Sequence, residues 1–447
     1  MGFLHYVVGI GLVLGVMILV HEWGHFVMAR VFKVRVDVFS IGFGPRLFGW
    51  KRGDTDYRLS ALPLGGYVRM AGQDLSEIDS AEQAPTGAPD ELMSKPRWQR
   101  ALISFAGPAV NLVFPILLLG GLYVIKGDPY LPFHDQPMTI VSISQDKEAP
   151  KTDLHVGDTV KSINGTPVNT WEDAITAIEK ANPSEFLTFL VEANGATRTV
   201  KVPLKSGVAP ELALGNLPIL PILDKVEDSF PAGRAGVKDG DTVKAVDGQP
   251  IHYWGEFVDR VRNSGGKPLD LELERKGEPV HVSVTPVLNN NEAGEPTYQV
   301  GVAGKDQTQY RRVPPVQAIG EAVSETKLFI LKTAESVGML VSGKVSIKNL
   351  QGPVGISHMA KQAVDRGALA VIELMALISV NLGILNLLPI PILDGGNILL
   401  LAVEGVMRRD LSMRFKERFV QVGLVFLLVL FAIVMYHDVL RRIAAHS

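Results

Sequence analysis

Four stretches of this 447-residue chain are long and apolar enough to cross a bilayer, and they limit its possible folds more than any other feature. A spanning helix needs roughly 20 apolar residues, because backbone polar groups find no water in hydrocarbon and must be paired within the segment. The runs lie at about Phe3 to Ala29, Ala101 to Val124, Ala368 to Leu388 and Val420 to Tyr436. A fifth, Leu328 to Val341, carries Lys332 and Glu335 and reads as an amphipathic helix on the membrane surface. No Lys or Arg precedes Arg30, so the first run is expected to be a retained anchor rather than a cleaved signal. Basic residues follow it (Arg30, Lys33, Arg35, Arg46), precede the second run (Lys95, Arg97, Arg100) and fill the loop before the fourth (Arg408, Arg409, Arg414, Lys416, Arg418). The positive-inside rule makes those loops cytoplasmic and places both termini and the long stretch between runs two and three outside.

Composition narrows the chemistry. The chain has no cysteine, which removes disulfides, thiolate nucleophiles and Cys-based zinc sites, so any metal must sit on His and carboxylate. A net charge of -3 gives no global basic field and so little support for a nucleic-acid partner, and the chain has no GxxxxGK(S/T) or GxGxxG motif.

The stretch from about Lys126 to Gln317 has ordinary soluble composition and repeats once. GDTVKSINGTPVNTW, from Gly157, returns as GDTVKAVDGQPIHYW, from Gly240, with an offset of 83 residues. Each copy predicts a short strand, a tight Asn-Gly or Asp-Gly turn, another short strand and a helix, followed by strand-rich sequence at 186–202 and 269–284. That order resembles a PDZ domain, and Ser229 to Gly236 looks like a bacterial PDZ lead-in, whereas its counterpart at Lys147 to Pro150 is degraded. A PDZ ligand would be a peptide added as a strand to a sheet edge; the plainer reading is a duplicated β-rich spacer.

Inside the first apolar run, VHEWGHF sets His21, Glu22 and His25 where ionisable groups are costly without a partner. Residues four apart share a helix face, so His21 and His25 can converge on one ion while Glu22 is turned toward a water. This is the HExxH logic of a zinc hydrolase, with Glu22 as catalytic base. The alternative is two histidines satisfied by backbone carbonyls or snorkelling to the interface.

A third ligand must come from the same depth. NLGILNLLPIPILDGGNILLL ends the third run, with Pro389 and Pro391 breaking the helix ahead of Asp394. Irregular backbone at membrane depth must line a cavity or be buried in protein. Asp394 then completes a His, His, Asp set for one zinc per chain; the plainer reading is an N-cap for the helix beginning at Gly395, a role that ligation does not exclude. Asn381, Asn386, Pro389 and Pro391 are candidate substrate-binding residues, with Asn386 best suited to an unwound backbone or oxyanion. Between Arg35 and Met70, alternating residues and several glycines predict β-hairpins, in which Gly65, Gly66 and Tyr67 are further substrate-binding candidates. The alternative there is a β-ribbon that only packs on the helices. The acidic, Ala- and Pro-rich stretch from Ser76 to Asp90 reads as a linker.

HExxH in a first membrane helix and LDGG in a later one, flanking a PDZ pair, resemble the site-2 protease family of intramembrane zinc metalloproteases. PLGGYVRM at Pro63, FAGPAVNLVF at Phe105 and SVNLGILNLLPIPILDGG at Ser379 carry the same resemblance, whereas Asn397 stands where many members have His. The resemblance implies His21, His25 and Asp394 as zinc ligands, Glu22 as base, and a bacterial inner membrane location. It also implies single-span membrane proteins as substrates, including anti-sigma factors and signal-peptide remnants, screened by the PDZ pair. The expected fold is a polytopic α-helical membrane protein with four transmembrane helices, a membrane-associated β-hairpin region and two extracytoplasmic PDZ domains. Its parts are 1–30 (first span), 31–99 (hairpins and linker), 100–125 (second span), 126–221 and 222–310 (PDZ), 311–366 (surface helices), 367–401 (broken third span), 402–418 (loop) and 419–447 (fourth span and tail). The competing class is a non-catalytic PDZ-bearing receptor; a metal transporter is a further alternative.

Overall fold

The computed structural model describes residues 2–72, 86–143, 152–179, 186–203, 215–290, 296–343 and 352–446. The degraded lead-in at Lys147 to Pro150 and most of the expected linker lie outside them. The chain forms two compact units, one made of 1–128 and 311–447, the other of 129–310.

The first unit opens with α1 (Gly2–Val31), a helix of 30 residues carrying the HExxH sequence. A hairpin of β1 (Val36–Arg52) and β2 (Thr55–Met70) follows, as the alternating sequence predicts. Its register is repeatedly shifted, because residues 38–41 of β1 pair both with 56–59 and with 66–69 of β2. The hairpin thereby folds over into a small curled sheet, and positive φ at Gly42, Gly44 and Gly65 permits the bends. Ala29, Val36, Phe39, Val68, Met70 and Ile103 bury a shared core that fixes this sheet against α1 and α2 (Arg97–Lys126).

After the second unit the chain returns as α6 (Pro315–Val341), within the stretch expected to hold surface helices and longer than the amphipathic run at Leu328 to Val341. The first half buries Ala318 and Ala322 against Leu119 and Leu122 of α2. Then come α7 (Pro353–Arg366), α8 (Ala368–Leu387), α9 (Asp394–Met407) and α10 (Met413–His446). The break between α8 and α9 falls at the Pro389 and Pro391 segment, where no N–H can continue the helical ladder. Among the described residues, three helices are long and apolar enough to span a bilayer: α2, α8 and the 414–438 part of α10.

The second unit contains both sequence copies. In the first, β4 (Thr159–Ile163), β5 (Thr166–Pro167), α3 (Trp171–Glu179), β6 (Phe186–Ala193) and β7 (Ala196–Pro203) give a sheet of order β5-β4-β6-β7. In the second, α4 (Pro231–Arg234) leads into β9 (Thr242–Val246), β10 (Gln249–Pro250), α5 (Trp254–Asn263), β11 (Leu269–Arg275) and β12 (Glu278–Val284), with the same order β10-β9-β11-β12. Short strands complete the set: β3 (Asp128–Tyr130), β8 (Leu223–Asp224), β13 (Val287–Asn290), β14 (Pro296–Gln299), β15 (Ala303–Gly304) and β16 (Gln309–Arg311). Equivalent residues pair equivalently, Ile163 with Phe189 and Val246 with Leu271. Both copies turn on a left-handed pair, Asn164-Gly165 and Asp247-Gly248, the conformation the Asn-Gly and Asp-Gly sequences favour. Each buries its own core, around Trp171 and Phe189 in one and Phe257 and Leu271 in the other.

Candidate metal centre

The candidate ligands come from α1 and from the start of α9. His21 and His25 stand one helical turn apart on the buried face of α1, while Trp23 between them is about half exposed. Asp394 is the first residue of α9, brought to the same place by the proline-broken segment before it. Ile392 in that segment holds φ at +80°, a strained value for a β-branched residue that costs on the order of 1–3 kcal/mol. The packing that holds this strain also presents Asp394. The capping alternative for Asp394 does not hold, because the cap position is Leu393 and no side chain caps the helix.

The three side chains converge. His21 Nε2 lies 3.1 Å from Asp394 Oδ2, His25 Nε2 lies 3.4 Å from Asp394 Oδ1, and the two Nε2 atoms are 3.2 Å apart. All three donor groups offer atoms within 4.8 Å of one another, and this is the one such cluster among the described residues. Tetrahedral zinc with bonds of about 2.0–2.1 Å would set its ligand atoms about 3.3 Å apart, so the spacing fits. The donor set, two imidazoles and a carboxylate with a position left open, is that of a catalytic rather than a structural zinc. His25 Nδ1 lies 2.8 Å from the Ile103 carbonyl oxygen; a carbonyl only accepts, so Nδ1 carries the proton and Nε2 keeps its lone pair for the ion.

Glu22 lies close enough to all three to feel their charges, with the Val68 backbone of β2 beside its carboxylate. Gly66, two residues earlier, approaches so closely that a Cβ there would stand 3.2 Å from Glu22 Cγ and 2.9 Å from the Ser40 carbonyl oxygen. Tyr67 points elsewhere, stacked on Phe43 at 5.9 Å with Arg58 over its ring. At Gly65, φ is +151° and an added Cβ would meet the Phe43 ring. Asn381 accepts a hydrogen bond of 2.7 Å from Thr333 of α6. Asn386 is partly exposed in the last turn of α8, Pro389 is exposed, and Pro391 packs under Gly423 of α10. The sequence candidates thus divide into a cluster of ligands with Glu22 and a looser set around it.

The sequence reading places a second span at α2 but does not bring its residues to the site. A Cβ at Gly107 would overlap the His25 ring and stand 2.9 Å from His21 Cε1, so only glycine lets α2 lie against both rings. Asn111, wholly buried one turn further on, places its amide nitrogen 3.1 Å from His21 Nδ1. The signal was present, since an Asn within an apolar span deserves the scrutiny given to Asn381 and Asn386.

The family model described as peptidase family M50 matches residues 10–430. The chain belongs to that family and is a zinc metalloprotease of the site-2 type. It is 32% identical over 449 residues to the regulator of sigma-E protease RseP of Escherichia coli K12, covering 96% of this chain and 97% of the relative. It is 30% identical over 443 residues to a putative zinc metalloprotease of Neisseria meningitidis serogroup A, covering 95% and 97%. Among solved structures, a PDZ domain of the SdrC-like protein of Listeria monocytogenes matches 20% of this chain and 90% of its own, at 18% identity and a TM-score of 0.17.

Proposed function

We propose that this chain is an intramembrane endoprotease of the bacterial inner membrane, cutting single-span membrane proteins in or near their membrane segments. In this reading α1 is a fourth span, both termini and the repeat unit face the extracytoplasmic side, and the repeats are PDZ domains that restrict which substrates reach the site. His21, His25 and Asp394 hold one zinc per chain. The observation that carries the reading is the meeting of those three side chains within 4.8 Å, drawn from opposite ends of the sequence.

The metal, when bound, supplies Lewis acidity to a water and to the scissile carbonyl. Glu22 takes the proton from the attacking water and returns it to the leaving amine. By the two-residue period of a strand, Gly66 and Val68 share one orientation on β2, and both lie beside Glu22. A substrate unwound from its helix must replace its lost hydrogen bonds, and this edge offers them at the reacting carboxylate. The lack of side chains at Gly65 and Gly66 leaves room for its backbone, and Asn386 supplies an amide to the substrate chain or oxyanion. Anti-sigma factors and signal-peptide remnants are the expected substrates, consistent with the name of the Escherichia coli relative.

Reconstitution with a model single-span substrate tests this. Cleavage is expected to need metal and to fall at least about 10²-fold in Glu22→Gln, with zinc content retained. Undiminished cleavage by Glu22→Gln, or by chelated protein, overturns the mechanism.

A further inference from the structure

Both rings lie against the same face of α2, along Ile103, Gly107 and Asn111, spaced four residues apart, with His25 Nδ1 at Ile103 and His21 Nδ1 at Asn111. Ile103 settles the tautomer of His25. For His21 the partner is an amide, whose oxygen and nitrogen have nearly the same shape and exchange on a half-turn. With the nitrogen facing His21, the amide donates to Nδ1, the ring proton sits on Nε2, and His21 has no lone pair for a metal. With the half-turn, Asn111 Oδ1 accepts from Nδ1–H and Nε2 faces the ion. One buried amide atom lacks a partner in either setting, as Oδ1 does here, so hydrogen-bond satisfaction does not choose between them. Ligation does.

We infer that Asn111 is a positioning residue for the metal, holding His21 in the Nδ1–H tautomer and at the ring angle that ligation requires. The inference rests on the proposed ligand set. A second contact makes Asn111 a fixed point rather than a passing neighbour: its backbone oxygen accepts a 2.8 Å hydrogen bond from Ser379 Oγ of α8, and both residues are fully buried. One turn of α2 thus touches α1 through His21 and α8, the helix that leads to Asp394. Outer-shell partners of this kind govern how tightly a metal is held, typically by 10–100-fold.

The test uses the full chain in detergent and reads zinc content and the rate of zinc loss to excess chelator, with circular dichroism as the check on folding. Asn111→Leu keeps the volume but offers no acceptor, and is expected to release zinc about 10–100-fold faster than wild type. Asn111→Asp supplies an acceptor in the same place and is expected to release it no faster than wild type. The same contrast should appear in the visible spectrum of the cobalt-substituted proteins, independently of cleavage. Wild-type release from Asn111→Leu overturns the inference. So does release from Asn111→Asp tenfold or more above wild type, which decides the matter if the Leu variant does not fold. Zinc lost in His21→Ala but held normally in Asn111→Leu sinks the inference alone, whereas zinc held normally in His21→Ala sinks the ligand set beneath it.

Discussion

Asp158 and Asp241 in the repeat unit, and Asp394 beside the histidines, are all shielded acids in Gly-Asp or Asp-Gly sequences, yet they meet different partners. Asp241 lies between Arg275 Nε and Nη2, both at 2.7 Å, and accepts from the Lys238 N–H. Asp158 is paired with Arg198 and accepts from the His155 N–H. These carboxylates have a permanent cation and serve the fold. Asp394 faces two imidazoles whose Nε2 atoms crowd at van der Waals distances or less, and among the described residues its ion-pair partners are these two histidines. A carboxylate with a fixed cation is complete in itself; one set among imidazole nitrogens has the donor geometry that could hold a metal ion. The repeats sharpen the point. Their registers are equivalent, but Arg198 comes from β7 and Arg275 from β11, so each copy found its cation separately.

Substitutions should separate the two regions. The largest effect is expected from Gly107→Ala, whose methyl group would collide with both histidine rings. Zinc retention should fall at least tenfold, and cleavage with it, while hydrogen exchange in β9–β12 stays unchanged. A variant with full zinc would show that α2 does not shape the site.

Asp241→Ala should do the reverse, destabilising the second repeat by about 2 kcal/mol without altering zinc content, because Arg275 is partly exposed and can be rehydrated. Hydrogen exchange along β9–β12 in the full chain measures it, and unchanged protection would remove the structural role claimed for the pair. The same carboxylate predicts a pH dependence. Burial pushes the Asp241 carboxyl up, but the Arg275 hydrogen bonds and the Lys238 N–H outweigh it and hold the group below its ordinary value of 3.8. The unfolded chain therefore takes up the proton first. The pair's stabilisation is complete above that ordinary value and is lost as pH falls through the lower folded one. Protection of β9–β12 should decline on acidification below about pH 4, less steeply in Asp241→Asn.

The smallest effect is expected from Thr333→Val, which removes the hydrogen bond to Asn381. One neutral bond is worth about 1 kcal/mol, so cleavage should fall about fivefold with zinc unchanged. No change in cleavage would mean that α6 does not act through Asn381.

Much of this was legible in the sequence because the relevant signals are local or repeated. The HExxH spacing is a statement about one helix turn, the Asn-Gly and Asp-Gly turns fix strand registers in both copies, and two prolines announce the break before Asp394. What escaped depends on which helix lies against which. Gly107 and Asn111 stand in a segment that carries the family resemblance, but nothing in an apolar run assigns them to the site until α2 is seen crossing α1. The packing of the first half of α6 was hidden because its buried face uses Ala318 and Ala322, small residues that suit close helix contact but barely raise an apolar signal. The doubled register of β1 is likewise invisible in alternation, since a curled sheet and a flat ribbon share the same period.

X-ray absorption at the zinc edge of the purified full chain tests the central claim most directly. The account predicts one zinc per chain bound by two imidazole nitrogens and carboxylate oxygen at about 2.0–2.2 Å, with the spectrum altered and the metal weakly held in Asp394→Ala. A zinc environment that is unchanged in Asp394→Ala would contradict it.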